Sequence, residues 1–104
     1  MKALVLLFSA DLMGRFSFVP KDEAAPMARK ALAERQYKPV AVIDVPDTMT
    51  PTDAAEEVFD LTNNPNRQEE RVEKYGVLRS LSVGDIVKVG DTHVLCCSVG
   101  WQVI

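Results

Sequence analysis

Three side chains near the C-terminus are of types that do chemistry: His93, the sole histidine, and the adjacent thiols Cys96 and Cys97. A metal centre or a Cys–His nucleophile would need them to converge. Alternate residues of a strand share a face, so His93 and Cys97 lie together and Cys96 turns away. Two ligands fall short of the four a structural zinc takes. A Cys–His pair would also lack an orienting third group in this spacing. Neighbouring cysteines on opposite faces do not readily bridge, so both read as reduced, partly buried thiols of a cytoplasmic protein. The five glycines are scattered among turns rather than gathered in a phosphate-binding loop. Glu56-Glu57 and Glu69-Glu70 read as solvated helix faces. The expectation is a protein with no catalytic residue, metal or cofactor.

The other dense stretch is Asp60–Asp85, which is polar between two apolar segments. It offers Asn63, Asn64, Arg67, Arg71, Tyr75, Arg79, Ser80 and Ser82 as a binding surface for another protein. Each has a plainer reading too: Arg79 pairing with a helix carboxylate, Ser82 bonding its own turn. The alternative function is a small nucleic-acid-binding or regulatory module using Arg67, Arg71, Lys74, Arg79 and Lys88 with Tyr75 and Trp101, since aromatics beside cations stack bases and neutralise phosphates. Charge weighs against it. The formal net charge is −3, and residues 44–73 hold nine carboxylates against two arginines. An acidic middle repels phosphate.

The elements that must position these residues follow from pattern. At 104 residues the chain is a single domain, 1–104. Ala3–Phe8 is an apolar run too short to span a bilayer and short for a signal's apolar core, so it reads as a central strand covered on both faces. Phe16, Phe18 and Val19 suggest a brief extended piece, and Pro20–Glu23 a polar turn. Pro26 suits a helix's first turn; Met27, Ala28, Ala31 and Leu32 follow on one face, and Lys38-Pro39 ends the pattern. Val40–Val45 is a second buried strand. Thr50-Pro51-Thr52-Asp53 carries a capping-box pattern for a helix to about Leu61, burying Ala54, Ala55, Val58 and Phe59. Asn64 can cap a further helix, Pro65–Tyr75, closed by Gly76, with Val72 and Tyr75 as its anchors; an irregular loop is the other reading. Ser82–Asp85 is a tight turn, Ile86–Val89 a strand, Gly90-Asp91 a hairpin turn and Thr92–Val99 the return strand, with Trp101–Ile104 extending the pairing after a bend at Gly100. These elements predict an α+β fold: four to five strands in a mixed or antiparallel sheet, two to three helices mostly on one face, and a C-terminal β-hairpin. The hairpin's exposed edge could pair with a second copy in a homodimer.

The string Thr62–Arg71, then Tyr75-Gly76, then Arg79-Ser80-Leu81-Ser82-Val83-Gly84-Asp85-Ile86-Val87 and a closing Gly100-Trp101 resembles small proteins of phages, plasmids and integrative elements. It is similar to the YodL-like domain grouping, and the likeness covers about the last two-fifths of the chain. The resemblance implies a binding role in conflict with the host, such as counter-defence against a host or defence protein. It brings no catalytic residues.

Overall fold

A computed structural model describes residues 1–8, 16 and 19–104. The described elements are β1 (Lys2–Phe8), α1 (Lys21–Ala33), β2 (Tyr37–Asp44), α2 (Pro51–Asn63), a 3₁₀ turn (Pro65–Arg67), α3 (Gln68–Lys74), β3 (Ile86–Val89), β4 (Thr92–Cys96) and β5 (Trp101–Val103). The strands form one antiparallel sheet in the order β2-β1-β3-β4-β5. The predicted α+β class and C-terminal hairpin are therefore present.

β1 is flanked on both sides and buried on both faces, as its unbroken apolar run requires. Its odd positions Ala3, Val5 and Leu7 join Ile43, Val87 and Val94 under Ala54, Ala55, Val58 and Leu61 of α2. Its even positions Leu6 and Phe8 join Ile86 and Leu95 under Ala24, Ala28 and Ala31 of α1. So α2, with α3 packed beside it, covers one face, and α1 covers the other.

Several boundaries differ from the sequence pattern. The polar turn expected at Pro20–Glu23 is the opening turn of α1: Pro20 carries the cap position, and its carbonyl accepts from the Glu23 and Ala24 amides at 3.0 and 2.9 Å. Pro26 therefore stands inside the helix. The helix ends at Ala33 rather than at Lys38-Pro39, because Arg35 takes a left-handed conformation (φ 58°). The amides of Arg35 and Gln36 then close back on the carbonyls of Leu32 (3.1 Å) and Ala31 (2.9 Å), the pattern that finishes helix ends. Pro39 sits within β2, which tolerates it as an edge strand with a register shift opposite Val5/Leu6. Of the extended piece expected at Phe16–Val19, Phe18 lies outside the described residues; Phe16 is buried against Phe8, edge to face at 5.0 Å.

In α2 the capping box forms: the Thr50 hydroxyl accepts from the Asp53 amide at 3.1 Å, and the Asp53 carboxylate accepts from the Thr50 amide at 3.4 Å. Phe59, expected in the core, is instead 37% exposed, while Leu61 and Thr62 are buried. Asn64 caps as expected, its side chain accepting from the Asn66 amide at 3.0 Å, but it caps a 3₁₀ turn that precedes α3. Tyr75 anchors that segment at 5% exposure; Val72, at 51%, does not. The return strand stops at Cys96, not Val99. The chain reverses there, and Trp101–Val103 returns as a separate strand on the far side of β4. The edge strands are β2 and β5, so the edge proposed for pairing with a second copy is only three residues long, and β2 carries a proline and a register shift.

Candidate functional site

The polar segment Asp60–Asp85 is held by three arginines, each in a different local setting. Arg79 meets Asp85, which is 1% exposed, through two parallel bonds: Nη1 to Oδ2 at 2.6 Å and Nη2 to Oδ1 at 2.8 Å. The carboxylate also accepts from the Phe8 amide (2.8 Å) and the Ser82 amide (2.8 Å), and Arg79 donates onward to the Phe8 carbonyl at 3.0 Å. A buried charge is tolerable only when paired and saturated with hydrogen bonds, which is the case here. The pair ties the end of β1 to the turn before β3. Hydrogen bonding to Asp85 raises the Arg79 pKa further above its ordinary value.

Arg71 closes the C-terminal end of α2, where helix carbonyls have no partner of their own. Its Nη1 donates to the Thr62 carbonyl at 2.6 Å and the Ser80 hydroxyl at 3.0 Å, and its Nη2 to the Leu78 carbonyl. The Ser80 hydroxyl donates to the same Thr62 carbonyl (2.7 Å), the Asn63 amide group to the Leu81 carbonyl (3.0 Å), and the Leu81 amide to the Thr62 hydroxyl (3.1 Å). The Tyr75 ring lies 5.6 Å from the Arg71 guanidinium, and its hydroxyl donates to the Arg79 carbonyl at 2.6 Å. Burial pushes the Tyr75 phenol above its ordinary pKa.

Arg67 sits among carboxylates. It grips Glu57 with both terminal nitrogens (2.8 and 2.9 Å), Asp60 at 2.8 Å and Glu70 at 2.6 Å. These bonds raise its pKa, and Lys74 with Arg67 hold Glu70 below the usual carboxylate range. Asn64 joins the cluster through Asp60 at 3.3 Å.

The eight residues singled out in the sequence thus fall into two connected networks. Asn63, Arg71, Tyr75, Arg79, Ser80 and Ser82 brace the loop between α3 and β3, while Asn64 and Arg67 lock α2 to α3. Arg79 pairs with Asp85 of its own turn rather than with a helix carboxylate. Sequence reasoning passed over Asp85 and Thr62, the two buried polar side chains of the described core. Asp85 had a signal, since a Ser-x-Gly-Asp turn can fold its carboxylate back on the first serine's amide. Thr62 had none.

The same bracing leaves three apolar side chains outside. Val77 is 92% exposed, Val72 51% and Leu78 37%, around the C-terminal end of α3 and the Gly76 turn that follows. Exposed Glu69 and Glu73 flank Val72 on α3.

Three of the residues grouped for nucleic-acid binding sit in separate settings. Tyr75 is buried, Trp101 packs edge to face on Phe59 at 5.9 Å, and Lys88 lies in the middle of the sheet opposite His93. Among the described residues no three His, Cys, Asp or Glu side chains converge to hold a metal ion, and no helix is long and apolar enough to cross a membrane.

Cys96 and Cys97 are free and buried, at 4% and 5% exposure. They face opposite sides of the sheet, Cys97 entering the α1-side core. Burial pushes the Cys96 thiol up to about 12 from 9.0. A thiol is nucleophilic only as thiolate, so a thiol-specific disulfide reagent at pH 8 should leave Cys96 unmodified in the folded chain and label it in denaturant. Because the folded pKa exceeds the unfolded one, the stability contributed by the neutral thiol is complete below 9.0 and is lost as pH rises toward about 12. Rapid native labelling at pH 8 would contradict this.

The fold and the site together define an α+β protein with a hydrogen-bonded polar loop and exposed apolar side chains beside it. Comparison with protein-family models, curated protein sequences and solved structures finds no match for this chain.

Proposed function

We propose that this chain acts by binding another protein, through the surface at the end of α3 and the following loop. The observation that carries the reading is the exposure of Val72 on α3 and of Val77 and Leu78 on the following loop, which Arg71, Tyr75 and Arg79 pin. Exposed apolar groups grouped together mark contact surfaces more often than scattered ones do. A loop already fixed by hydrogen bonds loses little further freedom on docking, which favours affinity. The arginines and serines of the segment then serve as the frame, and the contact falls to the side chains they present.

The sequence resemblance to YodL-like proteins supports a narrower version: a phage or mobile-element protein acting in the cytoplasm on a host or defence protein. The two reduced thiols fit that compartment. Its test is quantitative pull-down from host lysate. Val77→Asp is expected to abolish capture of any specific partner while changing folding stability by no more than about 0.5 kcal/mol, as for exposed positions generally. Undiminished capture by a Val72→Asp, Val77→Asp, Leu78→Ser chain would remove the proposal.

A further inference from the structure

We infer that the Val72–Val77–Leu78 surface takes an amphipathic protein segment whose apolar side chains are flanked by lysine or arginine. This rests on the protein-contact reading above and adds the chemistry of the partner. It follows from where the cations of this region are spent. Between Pro51 and Lys74 there are seven carboxylates and three cations. Arg67 is surrounded by Glu57, Asp60 and Glu70; Lys74 pairs with Glu70 at 2.9 Å; Arg71 keeps its charge but commits its donors to the carbonyls of Thr62 and Leu78. Arg79, in the loop beyond, is consumed by Asp85.

What remains on the α3 side of the apolar patch is Glu69 and Glu73. Both are exposed, and neither has an ion-pair partner among the described residues. Glu69 lies one helical turn before Val72 and so neighbours it on the helix surface, and Glu73, one turn on from Glu69, is exposed next to Val72 in the chain. An apolar centre with an unneutralised acidic rim accepts apolar side chains accompanied by positive charge and repels phosphate and acidic surfaces. Read from sequence, the segment mixes carboxylates and arginines; folded, Glu69 and Glu73 are its exposed carboxylates without an ion-pair partner among the described residues.

The test uses two synthetic peptides of equal length and identical leucine pattern, one with lysine and one with glutamate at the polar positions. Each is titrated into the isotope-labelled 104-residue chain while backbone amide shifts are followed. The leucine–lysine peptide is expected to move the amides of Val72, Val77 and Leu78, with affinity falling about tenfold or more in Val77→Asp, as for loss of a central contact. A Glu69→Lys, Glu73→Lys chain should bind that peptide more weakly and admit the leucine–glutamate peptide. Equal binding of both peptides at these amides would overturn the basic-partner inference and leave the contact reading standing. Silence of these amides toward both peptides would overturn the two together. Shifts confined to the acidic face of α2 and indifferent to Val77→Asp would show charge attraction without a site, and the inference would fall. Shifts at Val77 on adding a short DNA duplex would also overturn it.

Discussion

Arg79→Ala is expected to lower the stability of the folded chain by about 3–5 kcal/mol, because it strands the Asp85 carboxylate in the interior. That is a large share of the roughly 5–15 kcal/mol a domain of this kind has to lose. Asp85 is 1% exposed, and among the described residues Arg79 supplies two of its four hydrogen bonds, while the Phe8 and Ser82 amides supply the others. Asp85→Ala should cost at least as much. It orphans both of those amides, and each unsatisfied buried group costs about 1–3 kcal/mol. Asp85→Asn keeps an acceptor and should fall between that variant and the wild type. Urea unfolding measures the midpoints, and exchange of the Phe8 amide reports the same bond locally, accelerating in both alanine variants. A loss below about 1 kcal/mol for Arg79→Ala would mean that the pair behaves as an ordinary surface ion pair. If the proposed contact surface is right, the effect extends to binding. The pair fixes the loop that carries Val77 and Leu78, so losing it should also weaken any partner that docks there.

Gly84→Ala is the second substitution with a large expected effect. Gly84 has φ +95°, and a Cβ there would lie 2.5 Å from Cδ2, 2.9 Å from Cγ and 3.1 Å from Cβ of Phe16. Rotating the ring relieves the first of these contacts but not the last. The backbone cannot retreat, since its amide donates to the Cys96 carbonyl at 2.8 Å and its carbonyl accepts from the Tyr37 hydroxyl at 2.6 Å. A left-handed conformation costs a side-chain-bearing residue about 1–2 kcal/mol, and overpacking adds about 1–3 kcal/mol. The melting temperature should therefore fall by about 10 °C or more. Gly90→Ala is the control. Gly90 also has positive φ, but nothing lies within 4 Å of its Cβ position. It should show only the conformational cost, about 1–2 kcal/mol. Equal losses at the two positions would mean that Phe16 is not what Gly84 accommodates.

The Ser-Val-Gly-Asp turn holds both Gly84 and Asp85 and is the centre of the Arg79–Val87 sequence motif. A physical reason for each residue now exists. Ser82 offers its amide to Asp85, Gly84 clears Phe16, and Asp85 receives Arg79. These are demands of folding, and any chain that builds this turn on this sheet would meet them. The exposed apolar side chains nearby, Val72, Val77 and Leu78, are ones the motif does not specify.

Local order was determined by the sequence itself. Ala3–Phe8 had to be a central strand because its unbroken apolar run can be buried only on two faces. Thr50 and Asp53 started α2 through bonds spanning three residues, and Gly90-Asp91 closed a hairpin within two. Such signals are short-range, and they survived folding intact. Where a boundary depended on geometry between segments, the pattern misled. Phe59 follows Ala55 at helical spacing, yet it is 37% exposed and packs edge to face on Trp101 of the edge strand β5. Trp101–Val103 became a strand of its own because the chain reversed after Cys96.

Only the tertiary structure decided what the charges do. Arg67, Arg71 and Arg79 are alike in the sequence, three cations in a polar stretch. One ended among carboxylates of α2 and α3, one on the carbonyls of Thr62 and Leu78, and one on a buried aspartate six residues further on. Charge is long-ranged and carries no periodicity, so composition cannot tell a cation that meets solvent from one that meets its own fold. Packing makes that choice, and here it committed the arginines to groups of their own fold and left Val72, Val77, Leu78, Glu69 and Glu73 exposed.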